Sequence, residues 1–81
     1  MSVDEALRGL EGSQATIRFR ELVTIATRFF GEPRIRGSHH IFKMPWAGDP
    51  RINLREDGNQ AKPYQVQQVI RALKKLQEQG A

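Results

Sequence analysis

Apolar residues recur at steps of three and four in three stretches of this chain, and at steps of two in a fourth. Ser2-Val3-Asp4-Glu5 has the form of a capping box, and Ala6, Leu7 and Leu10 follow at helical spacing. A short helix is expected from about 3 to 11, stopped by Gly12-Ser13. Phe19, Leu22, Val23, Ala26, Phe29 and Phe30 make one apolar face of a second helix, ended by Gly31 and Pro33. Pro63 suits the first turn of a last helix. Its stripe is Val66, Val69, Ile70, Leu73 and Leu76, and Gly80 closes it.

Between these helices the period changes to two. Arg34-Ile35-Arg36 alternates, residues 39–44 extend, and Arg51-Ile52-Asn53-Leu54-Arg55 alternates again. Pro45-Trp46-Ala47-Gly48-Asp49-Pro50 reads as a loop, and Asp57-Gly58 as the turn after the third strand. The expected fold class is α+β, in the order helix, helix, three strands, helix. Short connections imply an antiparallel sheet with helices packed on one face and the other face open.

Alternate side chains of a strand point to opposite faces, and this sorts the residues. Ile35, Ile52 and Leu54 are expected on the core side, with Phe42, Met44 and His40. His40 reads as a satisfied, half-buried residue. Arg34, Arg36, His39, Ile41, Lys43, Arg51, Asn53 and Arg55 then share the open face. A bulge at Gly37-Ser38 would exchange the two histidines. Arg36-Gly37-Ser38-His39-His40 also matches the start of a purification tag. It lies mid-chain with patterned sequence on both sides, and its histidines stop at two, so it is read as native.

Composition narrows the function classes. At 81 residues the chain is one small unit with a modest core. It has no cysteine, hence no disulfide framework, thiol nucleophile or Cys zinc site. No apolar run is long enough for a membrane helix, and the opening residues lack a secretory-signal layout, so a cytoplasmic location is expected. The net charge of +4 is uneven: residues 34–55 alone carry +4, with Asp49 their single acid. That basic island favours a polyanionic partner, the bland alternative being a solvated face without a ligand.

On this face His39 is an imidazole, the natural proton carrier among side chains, set among fixed cations. Arg and Lys bind phosphate and stabilise charge growing on it. The chemistry suggested is RNA transphosphorylation, with His39 taking the 2′-OH proton and Arg34, Arg36, Lys43, Arg51 and Arg55 as candidate phosphate-binding residues. Adjacent strand histidines point opposite ways and carboxylate clusters are absent, so no metal site and no cofactor is expected. The plain alternative for His39 is an exposed strand histidine with no chemical task.

Gly37-Ser38-His39-His40-Ile41-Phe42, Asn53-Leu54, the Gly58 turn and Ala61-Lys62-Pro63-Tyr64-Gln65-Val66 together resemble the HicA toxins of bacterial type II toxin–antitoxin systems. The resemblance covers about residues 17–76. It implies a fold similar to the double-stranded-RNA-binding domain and a metal-independent mRNA interferase activity. It also implies a HicB-type antitoxin that covers the active site, with DNA engaged only indirectly through that antitoxin. The family's catalytic histidine follows the Gly-Ser pair, which here is His39, and Gly37-Ser38 is the motif turn. Residues 1–15 are then an N-terminal helical extension, allowed to be loosely attached, and 16–81 the toxin-like domain. Two features depart from the family: that extension, and Gln60-Ala61-Lys62-Pro63-Tyr64 in place of a Lys-Gly-Thr helix start. The contacts of that start are not carried over.

The expected function is an endoribonuclease toxin that acts on mRNA and inhibits translation. Rival readings are a non-catalytic RNA-binding module of the same fold and a protein-interaction domain for an acidic partner. Trp46 is open to two roles, stacking on a base or antitoxin side chain, or packing over the sheet edge, the second being favoured.

Overall fold

A computed structural model describes residues 1–13 and 16–80. The elements are α1 (Val3–Gly12), α2 (Phe19–Phe30), β1 (Arg34–Arg36), β2 (His39–Ile41), β3 (Asn53–Arg55) and α3 (Pro63–Glu78). The three strands form an antiparallel sheet in the order β1-β2-β3. This is the expected α+β arrangement, with one face of the sheet covered and the other open.

The caps explain where α1 and α2 begin and end. Glu5 N–H donates to Ser2 Oγ at 3.1 Å, and Ser2 N–H donates to Glu5 Oε1 at 3.2 Å, closing the capping box. The backbone and side chain of Ser2 hold the Glu5 carboxyl below the usual carboxylate range. At the end of α2, Gly31 takes φ +84° while its N–H returns to Thr27 O at 2.9 Å.

Although the sequence allowed α1 to be loosely attached, it packs into the common core. Ala6, Leu7 and Leu10 are buried together with Leu22 and Ala26 of α2 and Val66, Val69, Ile70 and Leu73 of α3. Burying each of the larger aliphatic side chains contributes about 1.5–3 kcal/mol relative to exposure. Lys74 pairs with Glu11 at 3.6 Å, and Gln77 bonds Asp4, so polar contacts frame the α1–α3 seam. Gln65 lies within the apolar stripe of α3 yet is polar and only 1% exposed. Its Nε2 donates to Arg55 O at 2.7 Å and its Oε1 accepts Lys62 N–H at 3.0 Å, pinning the start of α3 to the end of β3.

The strands are shorter than their alternation suggests. β2 was expected to reach Met44 and ends at Ile41; β3 was expected from Arg51 and begins at Asn53. One further ladder bond, Phe42 N–H to Ile52 O at 3.0 Å, extends the pairing before the chain enters the loop. Pro45 and Pro50 lack the N–H groups that a longer ladder would use. Phe42 and Ile52 are buried as expected. Ile35 corrects another expectation. It lies opposite His40 on the core side, but is 55% exposed. β1 is one edge of the sheet, and the buried core beneath the sheet gathers under β2 and the other edge, β3, through Phe42, Ile52 and Leu54.

Candidate active site

Arg36, Gly37, Ser38 and His39 form a two-residue hairpin, with Arg36 directly opposite His39. The positive φ falls on Gly37, at +57°, and among the described residues no non-glycine residue has a positive φ. Glycine at the first central position is the requirement of a type II′ turn, whose twist suits a tight hairpin. No Cβ neighbour lies within 4 Å of Gly37, so its need is for conformation and not for space. Glu56 N–H donates to Ser38 O at 2.9 Å and ties the turn to the end of β3. Pairing is continuous from Arg36 and His39 outward, with no bulge. The alternation therefore keeps its phase, His39 on the open face and His40 beneath.

The register builds two rows on that face. Arg36, His39 and Arg55 lie opposite one another in the first, and Arg34, Ile41 and Asn53 in the second. Cross-strand Cβ atoms are about 5 Å apart, so Arg36 and Arg55 are the cross-strand neighbours of His39 on this face. All three side chains of that row are exposed. Among the described residues, no carboxylate lies within ion-pair distance of Arg34, Arg36 or Arg55. Their charge remains available for an external anion.

His39 Nδ1 lies 3.0 Å from Asn53 Oδ1 across the diagonal between the rows. Because a carbonyl oxygen only accepts, Nδ1 carries the proton in this pairing and Nε2 keeps its lone pair. The tautomer is assigned from that pairing. A base oriented by a hydrogen bond at its second nitrogen is the arrangement general-base catalysis needs. Asn53 is fixed in turn, since its N–H donates to Gln68 Oε1 of α3 at 3.0 Å. Sequence reasoning placed Asn53 on this face but gave it no role, and Gln68 passed unnoticed as an ordinary helix residue. If Asn53 positions the ring, Asn53→Ala is expected to lower kcat by roughly ten- to a hundredfold through misorientation. Asn53→Asp, which still accepts Nδ1–H, should retain kcat and raise KM for an anionic substrate by adding negative charge to this face. Steady-state kinetics on both variants would show a purely structural Asn53 by equal losses.

The other candidate cations are dispersed. Arg34 stands one row away on the edge strand. Lys43 borders a cleft with Phe29, Phe30, Met44 and Pro45, beyond the end of β2. Arg51 faces α3 across a groove shared with Gln68 and Arg71. The structure thus gathers Arg36 and Arg55 around His39 and leaves Arg34, Lys43 and Arg51 as flanking charge.

His40 corrects the expectation of a satisfied residue. Its ring meets Phe19 edge-on, with centroids 5.2 Å apart, and its Nδ1 has no hydrogen-bond partner among the described residues. Aromatic packing holds it in place of a polar partner. Trp46 takes the packing role. Its Nε1–H donates to Pro50 O at 2.8 Å, Phe30 meets it edge-on at 5.9 Å, and Lys75 Nζ sits 5.0 Å from the ring centroid.

Among the described residues, no three His, Asp or Glu side chains gather as they would around a metal ion, and no helix is long and apolar enough to cross a membrane. Neither a protein-family model, nor a curated protein, nor a solved structure matches this chain.

Proposed function

We propose that the protein is an endoribonuclease that cleaves mRNA by transphosphorylation, acting as the toxin of a toxin–antitoxin pair. One observation carries this reading: Asn53 orients His39, and Arg36 and Arg55 flank it, on an open sheet face. The sequence resemblance to HicA toxins through Gly37-Ser38-His39 supports the same residue.

In the proposed step, Nε2 of His39 accepts the proton of a ribose 2′-OH. The 2′-oxygen forms a bond to phosphorus while the bond from phosphorus to the 5′-oxygen breaks. The leaving oxygen takes a proton from solvent or from the imidazolium. The products are a 2′,3′-cyclic phosphate and a 5′-hydroxyl. Arg36 and Arg55 hold the non-bridging oxygens, whose charge grows in the phosphorane. The partner under this reading is a small antitoxin that covers the basic face.

Induced expression in a bacterium is expected to stop growth and deplete full-length mRNA. Co-expression of a HicB-type antitoxin, which this reading expects to be encoded beside it, should restore both. Unimpaired growth with intact mRNA would overturn the reading.

A further inference from the structure

Beyond the row around His39, a groove of about 720 Å³ runs between the 45–52 loop and the C-terminal half of α3. Arg51 lines it from the loop side; Gln68, Arg71, Lys74 and Lys75 line it from the helix. Asp49 and Glu78 also stand on its walls, so four cations face two carboxylates. Lys74 is partly occupied by its 3.6 Å pair with Glu11. Lys75 serves the wall itself, donating to Asp49 O at 3.4 Å and covering the Trp46 ring. Arg51 and Arg71 are exposed and have no ion-pair partner among the described residues.

Two hydrogen bonds link the candidate site to the near end of the groove. His39 is bonded to Asn53, Asn53 N–H is bonded to Gln68, and Gln68 lines the near end of the groove. From Gln68 to Lys75 the helix rises about 10 Å. That length matches about three phosphates at the roughly 3.4 Å spacing of a stacked strand. The wall is formed in advance, because Trp46 closes the loop on itself and is clamped by Lys75.

We infer that this groove carries the RNA strand beyond the cleavage point, with the guanidinium groups of Arg51 and Arg71 on its phosphates. The inference rests on the RNA reading above. Phosphate is favoured as the ligand because both arginines present unpaired planar forks, which suit bidentate phosphate binding. Contact in the groove is sequence-independent. No aromatic side chain lines the groove among the described residues, and Trp46, covered by Lys75, has its N–H and one ring face already engaged.

The test is RNA affinity as a function of length and salt, with a dinucleotide and an RNA of about 12 nucleotides. Wild type should bind the longer RNA more tightly. Arg71→Glu should weaken the longer RNA about tenfold and lower the slope of log affinity against log salt by about one. Arg28→Glu, a charge reversal on α2 outside the groove, should keep the wild-type gain. Circular dichroism melts of both variants check that each is folded. If wild type gains with length and Arg71→Glu gains equally, the groove serves another partner, such as an acidic protein segment, and this inference falls alone. If wild type binds neither RNA, the inference falls together with the reading it rests on.

Discussion

His39→Ala is expected to abolish RNA cleavage while leaving RNA binding within about twofold of wild type. A positioned general base supplies roughly two to four orders of magnitude in rate, equivalent to about 3–5 kcal/mol of barrier. Alanine can neither accept the 2′-OH proton nor be replaced by a neighbour. His40 is on the opposite face, packed against Phe19, and the flanking groups are guanidinium cations with no lone pair to offer. Binding should survive because the charges proposed to hold phosphate, on Arg36, Arg55 and the groove, do not depend on the imidazole. Stability should survive as well. His39 is exposed, its one side-chain bond among the described residues is to Asn53, and surface substitutions typically change stability by no more than about 0.5 kcal/mol. Single-turnover rates at saturating RNA, measured beside equilibrium binding, separate the two effects. A variant that cleaves as fast as wild type would remove His39 from the mechanism; loss of binding in parallel with cleavage would make it a ligand contact and not a base.

The face that carries the candidate site was legible because it depends on alternation, which is a local rule. Once Gly37-Ser38 is a two-residue turn, the pleat alone places Arg36, His39 and Arg55 together, and the glycine is the residue such a turn requires. The helices were legible for the same reason, since Phe19, Leu22 and Ala26 keep a helical period. What the pattern missed was set by tertiary partners. Strand ends depend on how far a neighbour can continue the ladder, and the prolines at 45 and 50 decided that. Ile35 has the alternation of a core residue but sits on the edge strand, where the buried core does not reach. Gln65 and Gln68 read as unremarkable helix positions. Their value lies in the Arg55 carbonyl and Asn53 amide that happen to lie opposite, and no local pattern encodes that juxtaposition. Asn53 gained its role in the same way.

In the proposed step the ribose 2′-oxygen is the nucleophile. A substrate differing at one atom tests it without altering the protein at all. An RNA with a single deoxyribose on the 5′ side of the scissile phosphate keeps every charge and nearly every contact, so binding should be unchanged. Cleavage at that position should cease, because no 2′-OH remains for His39 to deprotonate and no 2′,3′-cyclic phosphate can form. The measurement is made on wild-type protein in the presence of a chelator, comparing the all-ribose and singly substituted strands at equal occupancy and identifying the product termini. The expected result is cleavage of the first strand with a cyclic-phosphate end, and an intact second strand at that position. Equal cleavage of both strands, or products ending in a 5′-phosphate, would contradict the account.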